Sequence, residues 1–209
     1  MSKGNKEKGL LAKLLEQGIK LLLIKECKKI NNIKIDIISS SSKILKGEIP
    51  RINIIAEDIN YKDLLFNEVK LEVDNLKIYF KLITNQISFK NDPIIKFKIS
   101  LSQNSLKTVL LSNNWNYIGN MISKEILNRN KLEDIEIKNG QFSIKATGEK
   151  NYINEKEKIE IKADKGKIYF INRTQNKEIQ IPIEKKIYIE NVIIEKNLIN
   201  IFGNSSIIF

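Results

Sequence analysis

A serine and a lysine one helical turn apart can act as nucleophile and base, and Ser40-Ser41-Ser42-Lys43 has that S-x-x-K spacing. Ser102-Gln103-Asn104 loosely supplies the S-x-N that accompanies it in penicillin-interacting enzymes. That chemistry needs the serine at the start of a helix. The surrounding IKIDIISSSSKIL is strand-like and would send Ser40 and Lys43 to opposite faces, so a polar strand or turn is expected. Glu57-Asp58, Asp63 and Glu133-Asp134 supply carboxylates of the kind that hold a hard cation, but none has EF-hand spacing and each sits where a strand meets a turn. The nine glycines are scattered, and none falls in G-x-x-x-x-G-K or G-x-G-x-x-G. Asn172-Arg173-Thr174 and Asn204-Ser205-Ser206 match the glycosylation sequon, which has meaning only in a secreted chain.

The chain has no histidine, so it lacks the commonest general base and the commonest metal ligand. Its single cysteine, Cys27, cannot form an internal disulfide. Catalytic residues, metal and cofactor are therefore all expected to be absent. The net charge of +11 calls for an anionic partner or reflects a lysine-rich composition in which Ile, Lys and Asn recur everywhere. Arginine is confined to Arg51, Arg129 and Arg173, which argues against specific nucleic-acid binding, where bidentate Arg contacts are favoured.

The elements that carry these residues read as α+β. Residues 1–8 are a charged tail, expected to be mobile, and residues 9–209 are long enough for one domain with a sizeable core. Over Gly9–Ile24 the pattern is helical, with Leu11, Leu14, Leu15, Gly18, Ile19 and Leu22 on one broad arc. Lys13, Glu16, Gln17 and Lys20 occupy the opposite stripe, and Lys25, Glu26, Lys28 and Lys29 close the helix with a mainly basic cluster. Charges interrupt any run approaching the roughly 20 apolar residues of a transmembrane span, and a signal peptide is not evident. A cytoplasm-facing location is expected, with peripheral contact on a membrane. Burying one Leu contributes about 1.5–3 kcal/mol, so the leucines of this helix must dock on a sheet or dip into a bilayer.

From Lys43 to Phe80 apolar residues alternate. Ile52, Ile54 and Ala56 share a phase, as do Val69, Leu71 and Val73, before a slip at Asp74-Asn75 passes the pattern to Leu76, Ile78 and Phe80. Such a slip moves the apolar row to the other face unless a bulge or turn absorbs it. Ile95, Phe97, Ile99 and Leu101 alternate cleanly. Ser102 is a plausible N-cap for a helix with Leu106, Val109 and Leu110, and Asn113 for one with Trp115, Ile118, Ile122 and Ile126. Trp115 and Tyr117 suit either a membrane interface or, for a lone Trp on an amphipathic helix, the core. Asn139-Gly140 predicts a type I′ hairpin between Ile135–Ile137 and Phe142–Ala146. Further strands are expected at Ile159–Ala163, Lys167–Ile171, Glu178–Ile183, Lys186–Ile194 and Leu198–Phe202, with Pro182 at an edge or bulge.

KILKGEIPRINIIAEDINYKDLLFNEVKLEVDNLKIYF resembles the cyanobacterial branch of the LmeA-like phospholipid-binding proteins, long catalogued as a domain of unknown function. The likeness lies in the preceding amphipathic helix, the strand entering Lys46-Gly47-Glu48, the turn Tyr61-Lys62-Asp63-Leu64-Leu65-Phe66, the strand at Val69-Lys70-Leu71 and the helical stretch around Ser102–Leu111. It implies a strongly bent antiparallel sheet wrapped around the N-terminal helix and a helical insert, similar to tubular lipid-binding folds, with an apolar groove for acyl chains and no catalytic residues. The candidate groove residues are Leu11, Leu15, Leu22, Ile52, Ile54, Val69, Leu71, Phe97 and Trp115, all equally suited to the fully packed core of a structural or protein-interaction module, the alternative reading. The candidate headgroup contacts are Lys13, Lys20, Lys25, Lys28 and Lys29, the partners being a phospholipid or other acyl lipid and an anionic membrane surface.

Overall fold

The computed structural model describes residues 9–81, 86–147 and 156–206; the N-terminal tail over residues 1–8 and the side chain of Phe80 lie outside the described part. The chain is α+β, as the alternating and helical patterns require, with every strand pair antiparallel. Helix α1 (Leu10–Glu26) leads into β1 (Lys29–Ile38), the short α2 (Ser41–Leu45), then the long hairpin of β2 (Glu48–Tyr61) and β3 (Leu64–Lys81). After β4 (Gln86–Phe89) and β5 (Ile94–Ser102) come α3 (Gln103–Leu111) and α4 (Asn116–Leu127). The strands β6 (Lys131–Lys138), β7 (Gln141–Thr147), β8 (Glu157–Asp164), β9 (Lys167–Asn172), β10 (Lys177–Gln180), β11 (Ile187–Glu195) and β12 (Leu198–Ser206) complete the described chain.

One sheet runs β1-β2-β3-β5-β12-β11, with β4 paired to the far half of β3, and the second runs β10-β9-β8-β7-β6. The sheets are not closed into a barrel. Helices bear on the free edges: on β1, the Ile37 N–H donates to Glu16 Oε1 of α1 at 2.9 Å. On β6, the Ile137 N–H donates to Gln103 Oε1 at 2.8 Å and the Leu132 N–H to Asn120 Oδ1 at 3.4 Å, both from the α3–α4 insert. The insert thus occupies backbone donors on the free edge of β6.

The phase slip at Asp74-Asn75 is absorbed. Asn75 takes a left-handed backbone, φ 52°, and both strands change phase together, so that Ile49 still faces Leu76 and Ile52 faces Val73. All four side chains enter one core with Ala12, Ile37, Ile44 and Ile78, against which Leu11, Leu15, Ile19, Ile35, Ile54 and Ile95 pack. Asn91 holds the turned strand by accepting from the Lys77 N–H at 2.9 Å and donating to the Asn75 carbonyl at 3.0 Å. A second core joins the two sheets and the insert through Leu101, Ile122, Ile126, Leu132, Ile135, Phe142, Ile144 and Ile199.

Local signals hold where they are strongest. Asn139 and Gly140 have φ 52° and 72° between Lys138 and Gln141, the two-residue turn expected of Asn-Gly. Ser102 caps α3 by accepting from the Ser105 N–H at 3.2 Å. The N-cap of α4 is Trp115 rather than Asn113, because a turn over Ser112–Asn116 delays the helix. Residues 40–45, expected as strand or turn, form α2, and the Ser40 hydroxyl accepts from the Lys43 N–H at 3.3 Å as its cap. Pro182 lies beyond β10, which ends at Gln180 at the sheet edge.

The second core is tied down by one carboxylate. Glu157 Oε1 accepts from Arg129 Nη2 at 3.1 Å, and Oε2 accepts from Asn172 Nδ2 at 2.8 Å and Gln175 Nε2 at 2.9 Å. The Arg129 side chain is only 14% exposed. In Glu157→Ala it keeps its bond to the Ala146 carbonyl but loses its counter-charge. Urea unfolding is expected to show a loss of about 2–4 kcal/mol, with the midpoint falling and the slope unchanged.

Candidate lipid-facing surface

The register places the apolar residues of the first sheet in transverse rows on one face. Ile37, Ile52, Val73 and Ile95 form one row, and Ile35, Ile54, Leu71 and Phe97 the next. Ala56, Val69, Ile99, Ile201 and Val192 form a third. The first row lies in the core under α1, where Ile52 and Val73 are buried. At the other end Phe97, Ile99 and Ile201 pack into the core under the insert. Between them Val69 and Leu71 belong to neither core and remain half-buried. Gly203 makes room for the end of the Phe97 ring, since a Cβ there would come within 2.7 Å of Phe97 Cζ and 2.4 Å of the Tyr188 carbonyl oxygen.

The bond from Ile37 to Glu16 fixes the rotation of α1. It turns Glu16 toward the free edge of β1, where the amphipathic pattern had put Glu16 on the solvent stripe. Leu22 lies about 120° round the helix from Glu16, on the same side as Leu11 and Leu15. Ala12, Leu15 and Ile19 point into the core. Leu10, Leu14, Leu21 and Ile24 consequently face outward, and with Leu22 they are 47–72% exposed. The helix is apolar on two sides, and the sheet covers one. Lys13 and Lys20 flank the outward stripe on one side and Lys25 on the other. Leu45 on α2 (74% exposed) and Ile38 at the end of β1 (50%) add to the uncovered apolar surface of this region.

Of the candidate groove residues, Leu11, Leu15 and Ile54 pack against the first core and Phe97 against the second, while Val69 and Leu71 on the sheet face and Leu22 on α1 belong to neither. Ile52 is core. Trp115 stands apart, at the β2–β3 turn, where its Nε1 donates to the Lys62 carbonyl at 3.2 Å. Among the candidate headgroup lysines, Lys28 is committed to Asp63 at 2.7 Å. Lys13, Lys25 and Lys29 are exposed and Lys20 is half-buried. A depression of about 310 Å³ on the second sheet is polar, lined by Glu136, Lys138, Asn139, Gln141, Ser143, Lys156 and Lys158.

The carboxylates of the sequence reading are engaged internally: Asp58 with Asn31, Glu57 with Asn32, Glu133 with Lys145, and Asp134 with Lys107 and Lys156. Asp63 clasps two elements at once, accepting from Lys28 Nζ on Oδ1 and from Asn114 Nδ2 on Oδ2, each at 2.7 Å. These bonds, Lys28 first, hold its carboxyl below the usual aspartate range. A depressed folded-state pKa contributes stability that is present above the unfolded value of about 3.9 and is lost as pH falls through the folded value. Asp63→Asn is therefore expected to shrink the loss of thermal stability on acidification below about pH 4. It does not remove that loss, because Asp74, Asp134 and Glu160 are held low by Arg51, Lys107 and Arg173.

Among the described residues no helix is long and apolar enough to cross a membrane. Comparison of the chain with protein-family models, with curated proteins and with solved structures finds no match in any of the three.

Proposed function

We propose that this is a non-enzymatic lipid-binding protein that sits on an anionic membrane surface through α1, in keeping with the resemblance of Lys43–Phe80 to the LmeA-like phospholipid-binding proteins. The observation that carries the reading is the outward stripe of Leu10, Leu14, Leu21 and Ile24, apolar surface on a helix whose other side is already docked. An exposed apolar patch of this kind is characteristic of an interaction site. Lys13, Lys20 and Lys25 beside it favour an anionic leaflet, each contributing about 1 kcal/mol near the surface. The half-buried Val69 and Leu71, on the sheet face outside both cores, are where an acyl chain would lie. Native mass spectrometry of gently purified protein, together with co-sedimentation on phosphatidylglycerol vesicles, tests the reading. Co-purifying lipid or vesicle binding supports it, and the absence of both overturns it.

A second reading has one observation in its favour. Leu10, Leu14, Gln17, Leu21 and Ile24 are spaced four and three residues apart, the seam a partner helix would use. It predicts a stable complex with a protein partner and no vesicle binding.

A further inference from the structure

We propose that the β2–β3 turn and the start of α4 form a second anchor, with Tyr61, Lys62, Trp115 and Tyr117 seated at the headgroup level of the same anionic phospholipid bilayer. This rests on the membrane-peripheral reading and adds an orientation to it. Asp63 binds Lys28 and Asn114 through its two oxygens, so the end of α1, the hairpin turn and the α3–α4 loop meet at one place. The anchor is therefore continuous with the C-terminal end of the leucine-bearing helix.

Its chemistry suits an interface. Tyr117 is 54% exposed and stacks on Trp115 with ring centroids 6.2 Å apart. The indole N–H is already satisfied by the Lys62 carbonyl, so the half-buried ring presents hydrocarbon in a fixed orientation. Tyr61 is also exposed, and the Lys62 ammonium lies 5.1 Å from its ring centroid. Amphipathic rings beside cations favour the boundary between acyl chains and phosphates. Asp63, the acidic residue of the turn, is neutralised by Lys28, and Lys25, Lys29 and Lys62 outnumber the nearby Glu26 and Asp58, leaving a small positive excess. That charge complements an anionic leaflet.

Trp115 is the only tryptophan, so its fluorescence reports on the anchor without a label. With vesicles of phosphatidylcholine and phosphatidylglycerol, its emission is expected to shift to the blue and to be quenched by brominated lipids. Tyr61→Ser combined with Tyr117→Ser is expected to bind roughly tenfold more weakly. If that variant does not fold, the wild-type quenching decides alone. Co-sedimentation with vesicles while the Trp115 emission and quenching stay unchanged overturns the anchor and leaves the membrane reading standing. Failure to co-sediment at all overturns the membrane reading, and the anchor with it.

Discussion

Leu14→Glu combined with Leu21→Glu is expected to abolish binding to anionic vesicles while leaving the fold intact. Both side chains point away from the sheet, at 59% and 67% exposure. Surface changes of this kind usually alter stability by no more than about 0.5 kcal/mol. On a membrane each leucine contributes about 1–2 kcal/mol by leaving water, given its partial burial already. Two carboxylates in their place also oppose the leaflet charge that Lys13, Lys20 and Lys25 attract. The combined loss is about hundredfold or more in partitioning. Flotation of the variant beside the wild type checks it, with circular dichroism melting as the control. The same change at Leu15 is a contrast: that side chain packs against the first core, so Leu15→Glu is expected to destabilise the protein itself.

Phe142→Ala is expected to be the most costly single truncation of the second core. The ring is 1% exposed on β7 and meets Phe170 of β9 edge to face, with centroids 5.6 Å apart and planes at 71°. Phe142 joins a strand of the second sheet to a core that also holds Leu101 and Ile199 of the first. Replacing a buried phenylalanine by alanine costs about 3–5 kcal/mol, a large part of the 5–15 kcal/mol by which a domain is stable. Urea unfolding measures the loss. A value below about 1 kcal/mol would show that the two sheets are not held together at this point.

Signals contained within a few residues were legible in the sequence. The helix expected over Gly9–Ile24 runs over Leu10–Glu26, Ser102 caps α3, and Asn139-Gly140 makes its two-residue turn. The slip at Asp74-Asn75 was visible as a fault, and the left-handed Asn75 explains how one core keeps both phases. A second phase change, between Ala56 and Ile59, passes through Asp58 at φ 48° and was not separated from the ordinary end of a strand.

Features set by distant parts of the chain were not legible. The rotation of α1 depends on a bond between Glu16 and Ile37, 21 residues apart, and no helical wheel contains that partner. The pattern placed Glu16 with Lys13, Gln17 and Lys20 because all four share one side of a helix at 3.6 residues per turn. In the fold Glu16 caps a strand edge, and Leu14 goes outward instead. Likewise, Trp115 read as a groove, core or membrane-interface residue, and the contact that positions it, the Lys62 carbonyl, lies 53 residues away across the fold. Gln103 and Asn120 cover the free edge of β6, a role that appears only once the insert is docked.

The central claim is that α1 presents an apolar, lysine-flanked stripe to an anionic membrane. Flotation of the wild-type protein on phosphatidylcholine vesicles with a graded content of phosphatidylglycerol tests it most directly. Binding is expected to rise with the anionic fraction and to weaken, without vanishing, as salt shortens the Debye length to about 8 Å at 0.15 M. Protein that stays with the aqueous fraction at every phosphatidylglycerol content, even at low salt, would contradict the claim.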